Sequence, residues 1–407
     1  MAGPLTGYRV LDMSRVLAGP WAGQLLADLG ADVIKVERPK VGDDTRHWGP
    51  PYLKDTAGND TEDAAYFFSA NRGKRSLTVD ITQPEGQDII RKLAAKVDVL
   101  IENYKVGGLA KYGLDYSSLE KVNPKLVYCS ITGFGQTGPY AQRPGYDFLI
   151  QGMAGLMSVT GEPDSQNGGS PTKVGVAVTD IFTGLYAANA IQGALLERHH
   201  SGMGQYIDLA LLDVQAAVMA NQASNYLIGG QIPGRLGNAH PNIVPYQAFA
   251  TADSHIIITV GNDQQFMRFC QVIEQPQWVD DQRYATNTAR VNNRVTLCGQ
   301  ITKYLRQQTS QYWLSKFEDH AVPCGPINTI DQVFDDPQIQ SRKMVLTMQD
   351  TRAGELKLVA NPINYSRSQI EYDLAPPQLG DQTIEILQEY LEYSEVTVKT
   401  LKSKEII

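Results

Sequence analysis

Tyr8-Arg-Val-Leu-Asp-Met13 predicts a β-strand, and it opens the pattern that decides the fold. A helix follows from Gly19-Pro20 to Leu29, because proline suits the first turn of a helix and Gly30 suits its end. Asp32-Val-Ile-Lys-Val-Glu37 predicts a second strand. Because parallel strands need a crossover, which is usually a helix, this order favours a parallel, Rossmann-like α/β layer.

The alternation of strand and helix continues to about residue 131. Strands are predicted at 75–81, 97–103 and 125–131, with helices at 84–96 and 117–122. The dinucleotide fingerprint GxGxxG does not follow the first strand, so the pattern does not indicate NAD binding.

Composition bounds the class of protein. A length of 407 residues suggests two or three domains, and a net charge of −8 argues against a nucleic-acid-binding protein. The four cysteines and six histidines lack metal-ligand spacing, so no structural metal is expected. Without a signal peptide or an apolar run near ~20 residues, a cytoplasmic location is expected, or the mitochondrial matrix in a eukaryote.

Domain boundaries are predicted around a small domain at 231–330, because the segment 233–242 is rich in proline and glycine. Residues 1–230 form the first part of the large domain, and 331–407 return to it. Hairpins are predicted at 246–260 and 345–359. Helical sequence is predicted at 264–319 and 381–404.

Asp180 lies at a predicted corner between a strand, Lys173-Val-Gly-Val-Ala-Val-Thr179, and a helix that begins at Ile181. Open α/β sheets place their chemistry at the carboxyl ends of strands. Aspartate is equally a favoured N-cap, and a first-turn acid suits the helix dipole. On these grounds alone both a catalytic and a capping role stay open.

Ordered segments along the whole chain resemble the class III CoA-transferase family, also called CaiB/BaiF. Those that carry the resemblance are Leu17-Ala-Gly-Pro20, Gly30-Ala-Asp-Val-Ile-Lys-Val-Glu-Arg-Pro39, Asn71-Arg-Gly-Lys-Arg-Ser76, Asp98-Val-Leu-Ile-Glu-Asn-Tyr104, Ser130-Ile-Thr-Gly-Phe-Gly-Gln-Thr-Gly-Pro139, Gly145-Tyr-Asp147 and Gly175-Val-Ala-Val-Thr-Asp180. Within the family, Trp48-Gly-Pro-Pro51 and Val244-Pro-Tyr-Gln-Ala-Phe249 are most similar to succinate-linked transferases for glutarate-type dicarboxylates.

The resemblance implies a Rossmann-like large domain, an inserted small α+β domain and an interlocked homodimer. It also implies that Asp180 is a nucleophile that forms an acyl anhydride and then an aspartyl-CoA thioester. A model Asp titrates at roughly 3.9, so an ionised carboxylate is expected at neutral pH. CoA is a cosubstrate in this scheme, and no permanently bound cofactor is expected.

The family pattern implies a set of residues that contact CoA. These are Leu17, Ala18, Arg38, Val79, Asp80, Ile81, Thr82, Asn103, Tyr104, Lys105, Lys111, Gly145, Tyr146 and Asp147. Arg38 follows the second strand, where a cation meets the phosphates of a nucleotide. Asp147 is either a helper of Asp180 or a cap of the helix after it.

Acceptor binding has weaker candidates. Gly261 occupies the place of a longer glycine-rich loop in some relatives, and Arg46, Arg235 and His240 are cations available for a distal carboxylate. Leu17 stands where formyl- and oxalate-type relatives carry glutamine, which disfavours small polar acceptors.

Two other functions compete with CoA transfer. One is an α-methylacyl-CoA racemase, but Tyr146 replaces the histidine of racemases and is a poor base at neutral pH. The other is a CoA-binding protein without turnover, which an exchange assay with labelled CoA would distinguish.

Overall fold

A parallel sheet of six strands is the centre of the first of two structural units. The computed structural model describes residues 2–407. The first unit comprises the chain up to Leu156, Val174–Ala223 and Pro337–Ile407; the second comprises Met157–Lys173 and Ser224–Asp336. The boundaries predicted at 230 and 330 both fall inside the second unit. Met157–Lys173, which the sequence placed in the large domain, belongs to the second unit as well.

In chain order, the strands of residues 2–407 are β1 (Arg9–Asp12), β2 (Asp32–Glu37), β3 (Tyr52–Lys54), β4 (Asp60–Ala64), β5 (Lys74–Thr78), β6 (Val99–Glu102), β7 (Val127–Thr132), β8 (Tyr206–Ala210), β9 (Tyr246–Ala250), β10 (His255–Thr259), β11 (Cys324–Pro326), β12 (Val345–Asp350) and β13 (Gly354–Val359).

The α-helices of the same residues are α1 (Ala18–Asp28), α2 (Ala65–Phe68), α3 (Pro84–Ala94), α4 (Tyr116–Leu119), α5 (Asp147–Met153), α6 (Leu156–Val159), α7 (Val178–Ser201), α8 (Leu211–Ala217), α9 (Ala220–Leu227), α10 (Asp263–Val272), α11 (Asn287–Asn292), α12 (Arg294–Leu305), α13 (Ser310–Asp319), α14 (Ile330–Asp335), α15 (Pro337–Ser341), α16 (Thr383–Leu391) and α17 (Glu395–Ser403). None of these helices is long and apolar enough to cross a membrane.

The strand order of the large sheet is β5-β2-β1-β6-β7-β8, and every neighbouring pair is parallel. The chain builds outward from β1 to β2 and β5, then returns to pair β6 with the other side of β1. The order therefore reverses between β1 and β6. Such a switch point leaves a crevice at the carboxyl ends of the two strands.

Alternating side chains bury both faces of this sheet. Leu11 and Leu100 belong to the hydrophobic cluster on one face, while Val10 and Val99 belong to the cluster on the other. Successive side chains of a strand point to opposite faces, so neighbouring residues of one strand are buried in different clusters. The parallel α/β layer that the sequence predicts is confirmed.

The strand predicted at Lys173–Thr179 is wrong. Helix α7 begins at Val178, and residues 173–177 belong to neither a strand nor a helix. Valine and threonine favour strands through half-buried packing, but residues 173–176 are mostly exposed here. Asp180 is therefore the third residue of a helix rather than the residue at a strand end.

In the second unit, a three-stranded antiparallel sheet in the order β11-β10-β9 packs with helices. The predicted hairpin appears as β9 and β10, paired from Tyr246 with Thr259 to Ala250 with His255. Its core contains Phe249, Phe266 and Phe317. In the first unit, the second predicted hairpin appears as β12 and β13. The hairpin of β3 and β4 was not predicted.

Candidate active site

A cavity of about 700 Å³ lies within the first unit, at the switch point of the sheet. Its walls include Arg15, Val16, Leu17 and Ala18, which follow β1, and Asn103, Tyr104 and Lys105, which follow β6. Asp80, Ile81 and Thr82 follow β5 and form part of a third wall, while Gly145, Tyr146 and Asp180 form part of a fourth. The volume is typical of a site for a large organic ligand.

Asp180 brings a carboxylate to the wall of this cavity. It occupies the first turn of α7 and is half-buried. Burial, with a further contribution from the charge of Asp147, raises the pKa of Asp180 to about 7. An ordinary value was expected from the sequence. Since a raised pKa marks a more basic carboxylate, Asp180 is suited to attack a carbonyl carbon once it is ionised.

Asp147 is the residue that caps α7. Its Oδ1 accepts the backbone N–H groups of Thr179 at 2.9 Å and Asp180 at 3.3 Å. The formal N-cap residue, Ala177, has no side chain that could do so. The capping role that the sequence left open for Asp180 therefore belongs to Asp147, on a different helix, and the Asp180 carboxylate is left facing the cavity.

Gln151 fixes the orientation of Asp147. It is fully buried, and its Nε2 donates to the second carboxylate oxygen of Asp147 at 2.7 Å. Its Oε1 accepts the backbone N–H of Val174 at 2.9 Å, so one side chain joins α5 to the segment that leads into α7. A buried amide with both ends engaged has little freedom to rotate.

The loop after β1 is held from two sides. The Asn103 side chain accepts the N–H of Arg15 at 2.9 Å and donates to its carbonyl oxygen at 2.7 Å. The Asp43 carboxylate accepts the N–H of Val16 at 3.3 Å and pairs with the buried ammonium of Lys35 at 2.8 Å. Val16 has φ of 71°, a strained conformation for a β-branched residue. Surrounding hydrogen bonds thus stabilise a specific loop shape at the cavity.

The cavity offers cations to a polyanionic ligand. Arg15, Arg38, Lys105, Lys111 and Arg143 line it. Arg15 and Arg38 both pair with Asp44, at 3.0 and 3.6 Å, and the buried Nε of Arg15 has no hydrogen-bond partner. Donors of this kind favour phosphate groups. Among residues 2–407, no group of three or more His, Cys, Asp or Glu side chains is placed to hold a metal ion.

Most of the residues predicted to contact CoA come together here. Those that line the cavity are Leu17, Ala18, Arg38, Asp80, Ile81, Thr82, Asn103, Tyr104, Lys105, Lys111, Gly145 and Tyr146. Val79 and Asp147 do not line it. Val79 is 2% exposed in the hydrophobic core, and only the residues that follow it, Asp80 to Thr82, line the cavity. Asp147 lies outside the cavity wall and influences the site through its hydrogen bonds to the first turn of α7.

Arg46 lies away from the cavity, and the geometry does not support its predicted role in acceptor binding. Its guanidinium is buried, makes two hydrogen bonds of 2.8 Å to Glu37 and one of 2.9 Å to Asp63, and lies over the ring of Phe67. A further donor reaches the carbonyl of Pro377. Because its donors are engaged by acceptors of the fold, Arg46 is a structural ion-pair residue.

The remaining acceptor candidates belong to the second unit. Arg235 donates to the carbonyl of Glu162 at 3.0 Å and pairs with Asp164. His240 packs against Tyr246 with ring centroids 5.1 Å apart, and burial and Arg294 lower its pKa. The N–H of Gly261 donates to Gln265 at 2.7 Å, just before α10. Their role in acceptor binding stays a prediction.

Two aromatic residues at the site were not among the predicted site residues. Trp48 lines the cavity, and its ring meets that of Tyr66 edge-on at 5.4 Å between centroids. Burial and the charges of Asp180 and Asp147 raise the pKa of Tyr66 to about 12, so its phenol stays protonated. No motif signals Tyr66, because it follows the unpredicted β3–β4 hairpin. Arg15 was also missed, although an arginine directly after the first strand is a recognisable signal.

The profile of CoA-transferase family III matches residues 5–383 of this chain. A six-stranded parallel sheet, a large cavity at its switch point and a carboxylate in the wall agree with that match. The chain belongs to CoA-transferase family III, the CaiB/BaiF family, and it is a CoA-transferase. The family resemblance drawn from the sequence is confirmed.

Relatives within the family are similar along nearly the whole chain. A succinate–glutarate CoA-transferase of Agrobacterium fabrum is 53% identical over 386 residues, which cover 95% of each chain. The human succinyl-CoA:glutarate CoA-transferase is 42% identical, covering 99% of this chain and 90% of its own. A crystal structure of a CaiB/BaiF family protein from Brucella suis superposes with a TM-score of 0.83 at 49% identity, covering 96% of this chain and 100% of the other.

Proposed function

We propose that this CoA-transferase moves CoA from succinyl-CoA to a five-carbon dicarboxylate such as glutarate, with Asp180 as the covalent nucleophile. CoA is a cosubstrate in this proposal, and no cofactor is permanently bound. The observation that carries it is the position of the Asp180 carboxylate in the wall of a cavity that also holds Arg15, Arg38 and Lys111. The phosphates of a CoA thioester can bind these cations while its thioester carbonyl lies at the Asp180 carboxylate.

The first half of the reaction moves CoA from the donor acid to Asp180. An Asp180 carboxylate oxygen attacks the thioester carbonyl carbon, the C–S bond breaks, and CoA leaves as a thiolate. The product is a mixed anhydride between Asp180 and the donor acid. The thiolate then attacks the Asp180 carbonyl carbon and expels the donor carboxylate, which leaves an aspartyl-CoA thioester.

The second half is the same sequence in reverse. The acceptor carboxylate attacks the aspartyl thioester and expels the thiolate, which forms an anhydride of Asp180 with the acceptor. The thiolate attacks the acceptor carbonyl carbon, and the Asp180 carboxylate is released. No net proton is consumed, so the cycle needs only that Asp180 be ionised at the start. Asp147 serves as a positioning residue, because it orients the first turn of α7.

The dicarboxylate assignment rests on the relatives' substrates and on Leu17. Leu17 supplies an apolar wall where a polar side chain would suit a small, polar acceptor. The free end of a bound dicarboxylate needs a cation, because an unpaired buried carboxylate is costly. With Arg46 buried against Glu37 and Asp63, the candidates that remain from the sequence are Arg235, which is paired with Asp164, and His240.

An acceptor panel tests the proposed function. Succinyl-CoA is incubated with glutarate, pentanoate, formate or oxalate, and the new thioester is quantified by mass spectrometry. We expect glutaryl-CoA to form in step with succinate, and the other acceptors to react poorly. Equal kcat/KM for pentanoate and glutarate would exclude the dicarboxylate assignment. Release of free CoA without a new thioester would identify a hydrolase instead.

Residue tests follow from the same panel. Arg235→Ala should reduce the preference for glutarate over pentanoate, while Arg283→Ala, which removes an exposed arginine paired with Asp281, should not. If the preference survives Arg235→Ala, the substrate class stands and the assigned residue is wrong.

We propose further that the protein acts as an interlocked homodimer. Large apolar side chains are exposed at the start of α5 and just before α7: Tyr146 is 65% exposed, Phe148 58% and Val176 58%. Large apolar side chains that are exposed to this extent favour burial by a protein partner. Light scattering should give twice the mass of one chain, and Phe148→Glu should lower it. A monomer at micromolar concentration would exclude the dimer.

A further inference from the structure

The last described residues of the chain pack against the turn that follows β5. We call residues 404–407 the tail. The backbone N–H of Asp80 donates to the carbonyl oxygen of Ile406 at 2.8 Å. The Ile406 side chain is 3% exposed and lies in the same hydrophobic cluster as Val79 and Ile81. Ile406 is therefore part of the core beneath this turn and anchors the tail there.

The turn that the tail holds is a wall of the cavity. Asp80, Ile81 and Thr82 all line it. The Asp80 carboxylate accepts the N–H of Thr82 at 2.9 Å and its hydroxyl at 2.7 Å, which closes the turn. The Asp80 side chain thus shapes the turn, while the Asp80 backbone ties it to Ile406.

The tail also reaches the segment that carries Arg38. The Glu405 carboxylate pairs with the ammonium of Lys40 at 2.7 Å, and Lys404 pairs with Glu85 at 2.9 Å, beyond the other end of the turn. These pairs are exposed, so each contributes little to stability. These ion pairs instead fix the position of the tail, because they join it to residues next to two separate cavity-lining segments.

We propose that the tail positions the two segments that bind the nucleotide end of CoA, the 80–82 turn and the segment of Arg38. This inference rests on the proposed function, because it requires CoA to lie in the cavity. Ile406 is a positioning residue, since it acts through Asp80 rather than by touching the ligand. A ligand that meets a prearranged turn does not have to order that turn on binding, and this preserves affinity.

Releasing the tail should change affinity rather than chemistry. Ile406→Asp places a carboxylate in the core and should detach the tail, whereas Ile406→Ala shortens the buried anchor and is the milder variant. Val396→Asp is the matched control, because it makes a similar change on α17 at a side chain that is 74% exposed. CoA affinity is measured by calorimetry, and kcat is measured at saturating succinyl-CoA and glutarate.

We expect Ile406→Asp to raise the Kd of CoA about tenfold, Ile406→Ala to raise it less, and both to keep kcat at saturation. Val396→Asp should match the wild type in both quantities. A Kd of CoA that stays unchanged in both Ile406 variants overturns the inference, whether or not kcat falls, because loss of folded protein alone lowers kcat without changing Kd. If Ile406→Asp does not fold, Ile406→Ala decides. Failure of the wild-type protein to bind CoA overturns the proposed function first, and the inference with it.

Discussion

The Asp147 carboxylate accepts the backbone N–H of Asp180 at 3.3 Å, so one acid orients the helix turn that carries the other. The same proximity has an electrostatic cost. After burial, the charge of Asp147 is the cause that raises the pKa of Asp180 to about 7. Asp147 therefore has two effects. It positions Asp180, and it keeps a fraction of the Asp180 carboxyl groups protonated at neutral pH.

Asp147→Asn separates these effects. The amide oxygen can still accept the N–H groups of α7, but the charge is gone, so the pKa of Asp180 should fall. The acidic limb of kcat/KM, which we expect near the Asp180 value of about 7, should move to lower pH. The amide cannot accept the bond from Gln151, which should cost about 1 kcal/mol of stability. An acidic limb at an unchanged pH would contradict this role of Asp147.

The free energy of unfolding should also depend on pH, because of the raised pKa of Asp180. Because the folded-state pKa of Asp180 is raised from 3.8 to about 7, its ionisation opposes folding. The stability associated with the neutral acid is fully present below about pH 4 and is lost as pH rises through about 7. Asp180→Asn should therefore be more stable than the wild type at pH 8, by roughly 1–3 kcal/mol after allowance for the partial exposure of the site.

Urea unfolding of both proteins at pH 4 and pH 8 measures this difference. We expect the advantage of the Asn variant to grow between the two conditions. A difference in unfolding free energy that is equal at both pH values would show that Asp180 does not titrate in this range.

Phosphate binding is expected to depend on Arg38 and on Arg15, which share Asp44. Replacing either arginine with alanine should weaken CoA binding by about 1.5–3 kcal/mol, the range for charge-assisted hydrogen bonds. Calorimetry at two salt concentrations measures the loss, and Arg283→Ala serves as the control. An unchanged Kd for Arg38→Ala would mean that Arg38 is only a surface charge.

Arg46→Met tests a structural role. Glu37 and Asp63 would lose their buried partner, so we expect the free energy of unfolding to fall by about 3–5 kcal/mol. The ratio of kcat/KM for glutarate and pentanoate should stay the same in the folded protein. If this kcat/KM ratio changes while the free energy of unfolding does not, Arg46 binds the acceptor and the structural role is wrong.

The sequence predicted the parallel sheet well, because β1, β2 and β6 are short segments centred on valine, leucine and isoleucine and separated by helical sequence. The error at 173–179 has a physical origin. Valine and threonine favour strands only where a pleated surface packs against them, and whether a partner strand exists is decided far along the chain. The β3–β4 hairpin was missed because its strands are mostly polar and partly exposed.

The site was predictable where it depends on position along a strand. Arg38 and Asn103 follow β2 and β6 directly, so the carboxyl-end rule places them near the cavity. Relationships across the fold were not predictable in this way. Asp147 caps a helix that begins 31 residues later, and Arg46 meets Pro377 from the far end of the chain. The hydrophobic periodicity of a sequence does not indicate contacts between residues so far apart in the chain.

Trapping of the covalent intermediate tests the central claim, that Asp180 is the nucleophile. Protein incubated with succinyl-CoA is quenched with hydroxylamine, digested and analysed by mass spectrometry. We expect a hydroxamate on the peptide that contains Asp180, and no exchange activity in Asp180→Asn, whose fold should persist because Asp147 still caps α7. Turnover of succinyl-CoA with Asp180 unmodified, or substantial activity in the Asn variant, would contradict the account.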